Sequence, residues 1–379
     1  MKIRIKKNCG IALILFVFII SAALCLNSVK AISFMMLIGI GFPAIFNGIK
    51  KINMISFFGL IYPIMVITIS TIVTGDLIRS FQRTYCCFLM LLVFVVKKYN
   101  LEYKKYFYIS IWVITCITVM CFLMDIVGLI DVNQSNFIRD IIYKYNIGLM
   151  GKHESYYFYY SIFLYASPLM IFLFFKMINE RNYIQAVIVF LGILASGERT
   201  PVFLTVVGFL IFIVMFQSDN INIKILIGII LFVSIMFIAL LYGNQIWNSI
   251  YHVIFVKGEF SNNVRWEHIS SLISFYKEKP IALLVGSGMG SKFYTSAWGG
   301  KITSDIELSF FNLMRQMGIP LFILFCYFLV YPLKKCNMKS YEYISYIIYL
   351  IVAALNPYLF DSTAYLVYIY IYIETRYNC

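Results

Sequence analysis

A short charged segment, residues 197–201 (GERTP), separates two apolar runs of the chain. Threonine is a suitable N-cap and proline is favoured at the first helical position, so the pattern predicts a helix that begins at Pro201 with Thr200 as its cap. The first backbone N–H groups of a helix carry partial positive charge. Arg199 would stand beside them, which predicts an anion site of the kind that binds phosphate. The alternative is a boundary arginine that snorkels to lipid headgroups.

A second arginine, Arg265, lies in the segment 262–280, whose apolar residues recur at helical spacing. Arg265 and His268 are three residues apart and therefore share one face of the predicted helix. An amphipathic helix on the membrane surface could direct this pair toward the membrane-embedded part of the protein. The alternative is a solvated surface charge.

Three glycines follow in the stretch LLVGSGMGS, at Gly286, Gly288 and Gly290. The stretch lacks the lysine and serine order of a nucleotide-binding P-loop and has no surrounding βαβ pattern. It predicts a tight turn that brings the backbone close to a ligand or to another segment. An ordinary loop is the alternative.

Two acids and an arginine lie around the start of the next apolar segment. Asp305 precedes this segment. The spacing from Glu307 to Gly318 is helical and predicts that these residues share one face of a helix, with Arg315 close to that face. A charge within a membrane span costs roughly 2.5–3.5 kcal/mol on insertion scales, so Arg315 requires a role, either in binding or in a structural ion pair. Pro320 predicts a kink in this helix.

A further arginine pair, Arg79 and Arg83, is four residues apart near the predicted outer end of the fourth span, 77–96, with Asp76 close by. The two arginines either have a structural role, as ion pairs or as side chains that snorkel, or bind a lipid phosphate, and the sequence leaves both roles open. His153 and His252 are single histidines in polar segments, and neither is assigned a role.

The composition predicts that these residues are carried by an all-α, polytopic membrane protein. Hydrophobic residues make up 62% of the 379 residues and charged residues only 13%, whereas soluble domains have roughly 45–50% and about 25%. Segments long enough to span a bilayer predict about twelve transmembrane helices. They lie near 9–27, 31–49, 53–74, 77–96, 106–130, 157–176, 183–196, 201–217, 222–243, 307–331, 341–356 and 358–374.

The net charge of +14 does not predict nucleic-acid binding, because the lysines are segregated into short loops between apolar runs. This distribution favours a topology with both termini in the cytoplasm. Two long polar segments, 131–156 and 244–306, are then extracytoplasmic, the second between spans nine and ten. The start of the chain is interpreted as a retained first helix rather than a cleaved signal peptide. No linker divides the chain, so residues 1–379 are predicted to form one membrane domain.

The cysteines and acids predict neither a disulfide framework nor a metal site. None of the nine cysteines lies in the two long polar segments, and none forms a CxxC pair. Acids are not clustered in a way that suits Mg²⁺ or Zn²⁺. We therefore expect no metal and no cofactor.

The order of these motifs resembles a known family. SGERTPVF is followed by an arginine-bearing helix, then by the glycine turn, then by a helix with a GIP element. In this order the chain resembles the bacterial O-antigen and capsular polysaccharide polymerases and, more distantly, the O-antigen ligases. The resemblance covers roughly Ile193 to Val330.

The resemblance implies roles for particular residues. Arg199 matches the arginine of the family's SGxRT element, and Arg265 matches the arginine that opens the segment before the glycine turn. Glu307 falls where the ligases carry a histidine, eleven residues before Gly318, which favours a polymerase. The general base stays open between Glu307, Asp305 and His268. The cations expected to bind pyrophosphate are Arg199, Arg265, Arg315, Arg79 and Arg83.

The implied reaction polymerises oligosaccharide repeat units carried on undecaprenyl pyrophosphate, by metal-independent, inverting glycosyl transfer at the outer face of the cytoplasmic membrane. The implied partners are the lipid-linked glycan donor and acceptor, the bilayer and a chain-length regulator in the membrane. Two other functions remain open: an O-antigen ligase, and a flippase or transporter for lipid-linked oligosaccharides. The chain shows no internal repeat of the kind that many transporters carry.

Overall fold

The computed structural model describes most of the chain. The described residues are 2–51, 53–152, 160–216, 257–335 and 339–374. The predicted span at 222–243, both histidines without an assigned role, and the start of the long polar segment lie outside them. All statements below on what is present or absent refer to the described residues.

The described chain is mostly helical, with two short pairs of antiparallel strands. The elements in chain order are α1 Lys2–Ala23, α2 Asn27–Ile49, α3 Met54–Thr74, α4 Leu77–Tyr99, α5 Tyr103–Ile126, α6 Phe137–Lys144, β1 Gly148–Leu149, β2 Phe163–Leu164, α7 Ser167–Asn179, α8 Tyr183–Ala195, α9 Arg199–Phe216, α10 Lys257–Glu278, α11 Ala282–Val285, β3 Phe293–Thr295, β4 Lys301–Thr303, α12 Ser309–Met317, α13 Ile319–Lys335, α14 Ser340–Leu355 and α15 Ser362–Glu374.

Four helices, α2 to α5, are long and apolar enough to cross a membrane by length and composition. Shorter apolar helices correspond to several other predicted spans, among them α8, α9 and α14. The all-helical prediction is therefore confirmed in its main part, while the count of twelve spans stays a prediction.

A buried apolar core joins these helices. It includes side chains of α1, α4, α5, α7 and α15. Helix α15 is buried along almost its whole length, including Tyr365, Tyr368 and Tyr372. The tyrosine hydroxyls are satisfied inside the core, because Tyr368 donates to the Leu359 carbonyl at 2.8 Å and Tyr372 to the Phe328 carbonyl at 2.9 Å. A central, aromatic helix thus organises the packing of the others.

The connections between helices divide between two ends of the molecule. At one end, Lys104 of α5 contacts Glu342 of α14 at 2.7 Å and Glu374 of α15 at 3.0 Å. Short basic connections, such as those after α2 and α4, fall at this end because the helices alternate in direction. At the opposite end, the α1–α2 and α14–α15 connections and part of α4 line a cavity. This arrangement agrees with the predicted orientation, which remains a prediction.

Local predictions near the motifs need three corrections. Helix α9 begins at Arg199, so Thr200 is not its cap and Pro201 lies within its first turn. Glu307 precedes α12, which begins at Ser309, so the predicted helical face that started at Glu307 is wrong. The helix pair α12–α13 is interrupted at Gly318, whose φ of 79° ends α12.

The reason for the third correction is steric. A side chain at Gly318 would collide with the backbone carbonyl of Leu284, so the left-handed glycine is required where α11 approaches. Pro320 then occupies the first turn of α13, where its missing N–H costs nothing. In a further predicted span, 157–176, the structure describes residues 160–176, and within these the helix begins at Ser167 and β2 precedes it.

Candidate functional site

A cavity of about 660 Å³ opens where the helix connections converge. Its walls combine cations, carboxylates, amides and tyrosines with a few apolar side chains. The lining residues are Cys25, Asn27, Lys30, Gln82, Arg83, Tyr85, Cys86, Asn146, Tyr165, Met289, Asp305, Ile306, Ser309, Asn312, Leu313, Gln316, Pro357, Tyr358, Phe360, Asp361 and Ser362. A concave site with converging polar groups is the usual form of a small-molecule binding site.

Two of the predicted site residues, Arg83 and Asp305, lie in this cavity wall. A guanidinium nitrogen of Arg83 lies 2.9 Å from a carboxylate oxygen of Asp305, and both side chains are more than 40% exposed. Arg83 is placed by α4, whose start is capped by Asp76 accepting from the Arg79 amide at 2.9 Å. The Arg79 guanidinium lies 3.7 Å from the same Asp76. Asp76 was the predicted partner of this arginine pair. The structure pairs Asp76 with Arg79, whereas Arg83 contacts Asp305.

The glycine turn packs against both of these regions. Gly286, Gly288 and Gly290 all have positive φ, at 77°, 88° and 72°. A side chain at Gly290 would press on the stems of Arg79 and Arg83. The turn therefore serves a close backbone approach, as the sequence predicts, and the segment that it approaches is the arginine-bearing start of α4.

The turn is also tied to α12 and α3 by hydrogen bonds. The Gly288 amide donates to the Gln316 carbonyl at 3.0 Å. The Met289 amide donates to the Ser70 hydroxyl at 2.7 Å. These bonds satisfy buried backbone groups and fix the turn at the edge of the cavity, which Met289 and Gln316 line.

Arg315 is fully buried and lies behind the turn. Its guanidinium donates to the hydroxyls of Ser287 and Ser291 at 3.0 and 2.9 Å, and to the carbonyls of Ser291 and Ser304 at 3.1 and 2.9 Å. A fifth bond reaches the Asn312 amide oxygen at 2.9 Å. The guanidinium also lies over the Phe293 ring, 4.4 Å from its centroid. The structure thus gives Arg315 protein partners that join the glycine turn to the Asp305 segment.

Arg265 and Glu307 form an ion pair outside the cavity wall. The Arg265 Nε atom lies 3.6 Å from a Glu307 carboxylate oxygen, and the two side chains are 26% and 37% exposed. Helix α10 carries Arg265, and Glu307 lies two residues beyond Asp305. Arg265, which is predicted to bind phosphate, and Glu307, which is a predicted base, are therefore neighbours.

His268 does not share that environment. It is fully buried, with Nδ1 2.9 Å from the Thr295 hydroxyl and its ring edge-on to Trp298 at 4.6 Å between centroids. Burial, together with the charge of Lys301, lowers the pKa of His268 to about 4. The imidazole is consequently neutral at physiological pH.

Arg199 begins α9, and the residue before it was not among the predicted site residues. Glu198 accepts a hydrogen bond from the hydroxyl of Tyr358 at 2.9 Å, and Tyr358 lines the cavity. Burial raises the pKa of Glu198 to about 7, although the bond from Tyr358 acts in the opposite direction. Only the position of Glu198 inside the charged segment could have drawn attention to it from the sequence.

Lys30 is a second residue that the sequence did not indicate. It is 4% exposed, and its ammonium donates to the Asn27 side-chain oxygen at 2.9 Å and to the Ser362 hydroxyl at 2.8 Å. It also lines the cavity. In the sequence, a lysine in an apolar segment indicates only the orientation of the helix in the membrane. The packing of the helices shows that Lys30 faces a cavity.

The structure therefore brings Arg79, Arg83, Asp305, Arg315 and the three glycines into one connected region. The Arg265–Glu307 pair lies beside this region, because Glu307 follows Asp305 by two residues. Arg199 adjoins Glu198 in the chain, and Glu198 contacts the cavity-lining Tyr358. His268 is directed elsewhere. Among the described residues, no group of three or more His, Cys, Asp or Glu side chains is placed to hold a metal ion.

A family model described as O-Antigen ligase matches residues 184–326. The matched region contains the charged segment at 197–201, helix α10, the glycine turn and α12, and the match confirms the resemblance to the O-antigen ligase and polymerase superfamily. It indicates a function of the ligase or polymerase type in a membrane protein. No curated protein and no solved structure matches the chain.

Proposed function

We propose that the protein polymerises oligosaccharide repeat units carried on undecaprenyl pyrophosphate, at the outer face of the bacterial cytoplasmic membrane. The observation that carries the proposal is the cavity at the convergence of the helix connections, where Arg83 and Asp305 face the same space. Cations and a carboxylate in one wall are what a glycosyl transfer from a pyrophosphate donor needs.

The leaving group dictates the role of the arginines. Pyrophosphate leaves without a general acid, but the charge that grows on it must be met by fixed cations in a site of low dielectric constant. Guanidinium forks suit this task because they bind phosphate oxygens in pairs. Arg83 lines the cavity, and Arg79 lies one helical turn before it on the same helix. We assign Arg265 and Arg199 to the same pyrophosphate. In this scheme Arg315 supports the turn from behind.

The base must take the proton of the attacking sugar hydroxyl. We assign this role first to Glu307, with Asp305 and His268 as the other candidates. Glu307 is 37% exposed on its side chain and is therefore reachable by substrate. The low pKa of His268 makes the imidazole a weak base, and no described contact directs it toward the cavity. Direct displacement at the anomeric carbon would invert its configuration, and a product that retains the donor configuration would contradict this step.

Replacing Glu307 by glutamine is expected to reduce polymer formation by roughly 10²- to 10⁴-fold, the usual contribution of a general base. The change preserves shape and removes only the charge. Chain length is measured by electrophoresis of the extracted polysaccharide. Glu102→Gln is the matched control, because Glu102 also forms an exposed ion pair, at 3.4 Å with Lys105, at the other end of the protein. Polymer of ordinary amount and length from Glu307→Gln would remove this residue from the role.

The function itself is tested in a strain that lacks the gene. Acceptors capped with a single repeat unit are expected, since transfer to the final acceptor would continue without polymerisation. Uncapped acceptors would favour the ligase instead. Repeat units trapped on the cytoplasmic leaflet would favour the flippase, which is the competing function from another class. The position of Glu307 where the ligases carry histidine favours the first outcome.

A further inference from the structure

Glu198 and Tyr358 form a partly buried pair, of which Tyr358 lines the cavity. Tyr358 is 9% exposed, and its hydroxyl donates to one carboxylate oxygen of Glu198 at 2.9 Å. The other oxygen of Glu198 is buried and accepts no hydrogen bond within the described structure. A buried carboxylate oxygen that accepts no hydrogen bond is costly for the fold, which favours a functional reason for its presence.

The backbone on both sides of the pair is held in place. Gly197 has a φ of 74°, and a side chain there would collide with the backbone carbonyl of Tyr160. The Ile162 amide donates to the Ala195 carbonyl at 2.9 Å, which fixes the end of α8. On the other side, the Tyr358 ring packs at 5.8 Å from that of Phe163. The distance between the phenol and the carboxylate is therefore set by the fold.

We propose that Tyr358 and Glu198 form a proton relay for the acceptor hydroxyl. The inference rests on the proposed function, and within it the pair is an alternative to Glu307 as the group that takes the proton of the acceptor hydroxyl. Tyr358 is the catalytic residue that meets the sugar, and Glu198 is a positioning residue that acts through it. As the acceptor oxygen attacks the anomeric carbon, the bond to the pyrophosphate oxygen breaks and its electron pair leaves with the lipid pyrophosphate. The hydroxyl proton moves to the Tyr358 oxygen while the phenolic proton moves to the Glu198 carboxylate.

The electrostatic setting of Glu198 differs from that of the other acids. Asp305 and Glu307 each lie beside an arginine, at 2.9 and 3.6 Å, so each of these carboxylates already has a cationic partner. Burial instead raises the pKa of Glu198 to about 7. A base is most effective when its pKa lies near the working pH. Arg199 follows Glu198 in the chain.

The relay predicts a specific pH dependence. Glu198 must be ionised to receive the proton. The transfer rate should therefore be low below a pH of about 7 and should rise as the pH increases through that value. Besides Glu198, the titratable groups whose charges act on Tyr358 are Asp361 and Tyr165. Arg199 is adjacent to Glu198 in the chain. Glu198→Gln removes the carboxylate and should therefore remove this limb of the profile.

The experiment uses the full-length protein in detergent, with lipid-linked repeat units extracted from a strain that lacks the gene. Glu198→Gln and Tyr358→Phe are each expected to lower the initial rate by roughly 10²-fold. Glu198→Asp should restore part of the rate and the pH limb, which a purely structural role would not do. Tyr99→Phe is the matched control, because it removes one tyrosine hydrogen bond, to the Ile40 carbonyl, away from the cavity.

A wild-type rate and pH profile in Glu198→Gln, or a wild-type rate in Tyr358→Phe, would overturn the relay. Tyr358→Phe keeps the test decisive if Glu198→Gln fails to fold, since it removes a single oxygen atom. Failure of the relay would leave polymer formation by the wild-type protein intact. Failure of the proposed function would appear differently, as absence of polymer from the wild-type protein itself.

Discussion

Replacing Arg265 by alanine is expected to abolish long polysaccharide chains while the protein still folds and inserts. The ion pair with Glu307 is partly exposed, and such pairs contribute only about 0–1 kcal/mol to stability. Loss of the guanidinium would in contrast remove a fixed cation from the departing pyrophosphate, where one donor is typically worth roughly 10²- to 10³-fold in rate. Chain length is measured by electrophoresis of polysaccharide from a complemented deletion strain.

Lys105→Ala is the control for this substitution, because it breaks an exposed ion pair with Glu102 at the opposite end. It should leave chain length unchanged. Arg199→Ala is expected to act like Arg265→Ala if both arginines serve the pyrophosphate. Ladders of ordinary length from both arginine variants, with normal amounts of protein in the membrane, would refute the assignment of these cations.

The second large effect is expected on stability, from replacing Arg315 by alanine. The side chain is fully buried and makes five hydrogen bonds, four of them to the serines at 287, 291 and 304. Its loss would leave several buried acceptors without donors and a cavity under the glycine turn. We expect a loss of roughly 3–5 kcal/mol, at the upper end of single substitutions.

The measurement is thermal unfolding of the purified protein in detergent, together with its abundance in membranes. Arg315→Lys keeps the charge but not the planar fork, so an intermediate loss is expected. Gln316→Ala is the comparison that removes a neutral amide donor to the same Ser304 carbonyl, and it should cost less. An unfolding temperature of Arg315→Ala equal to that of the wild type would show that Arg315 does not support the turn.

Local signals in the sequence predicted the character of the elements well. The apolar runs are long enough to predict helices at most of the positions where the structure has them. The glycine pattern predicted a close backbone approach, which the positive φ values at Gly286 and Gly288 confirm. These features depend on neighbouring residues alone, so a single sequence contains them. Element boundaries were less accurate, as at Glu307, because tertiary contacts decide where a helix ends.

The partners of charged residues were predicted only where they are local. Asp76 and Arg79 are neighbours in one helical turn, and the sequence places them together. The contact between Arg83 and Asp305, and the one between Glu198 and Tyr358, join segments far apart in the chain. The sequence assigned Arg315 a choice between binding and an ion pair. The structure instead surrounds it with hydroxyls and carbonyls, which no spacing rule indicates.

By itself the sequence determined a helical membrane protein with its conspicuous motifs in the second half of the chain, because hydrophobic length and glycine geometry act over short distances. Only the tertiary structure decided which charges face a common cavity, because that depends on how α1, α4, α12 and α15 pack against one another. A residue such as Lys30 or Glu198 acquires its chemical setting from those distant neighbours.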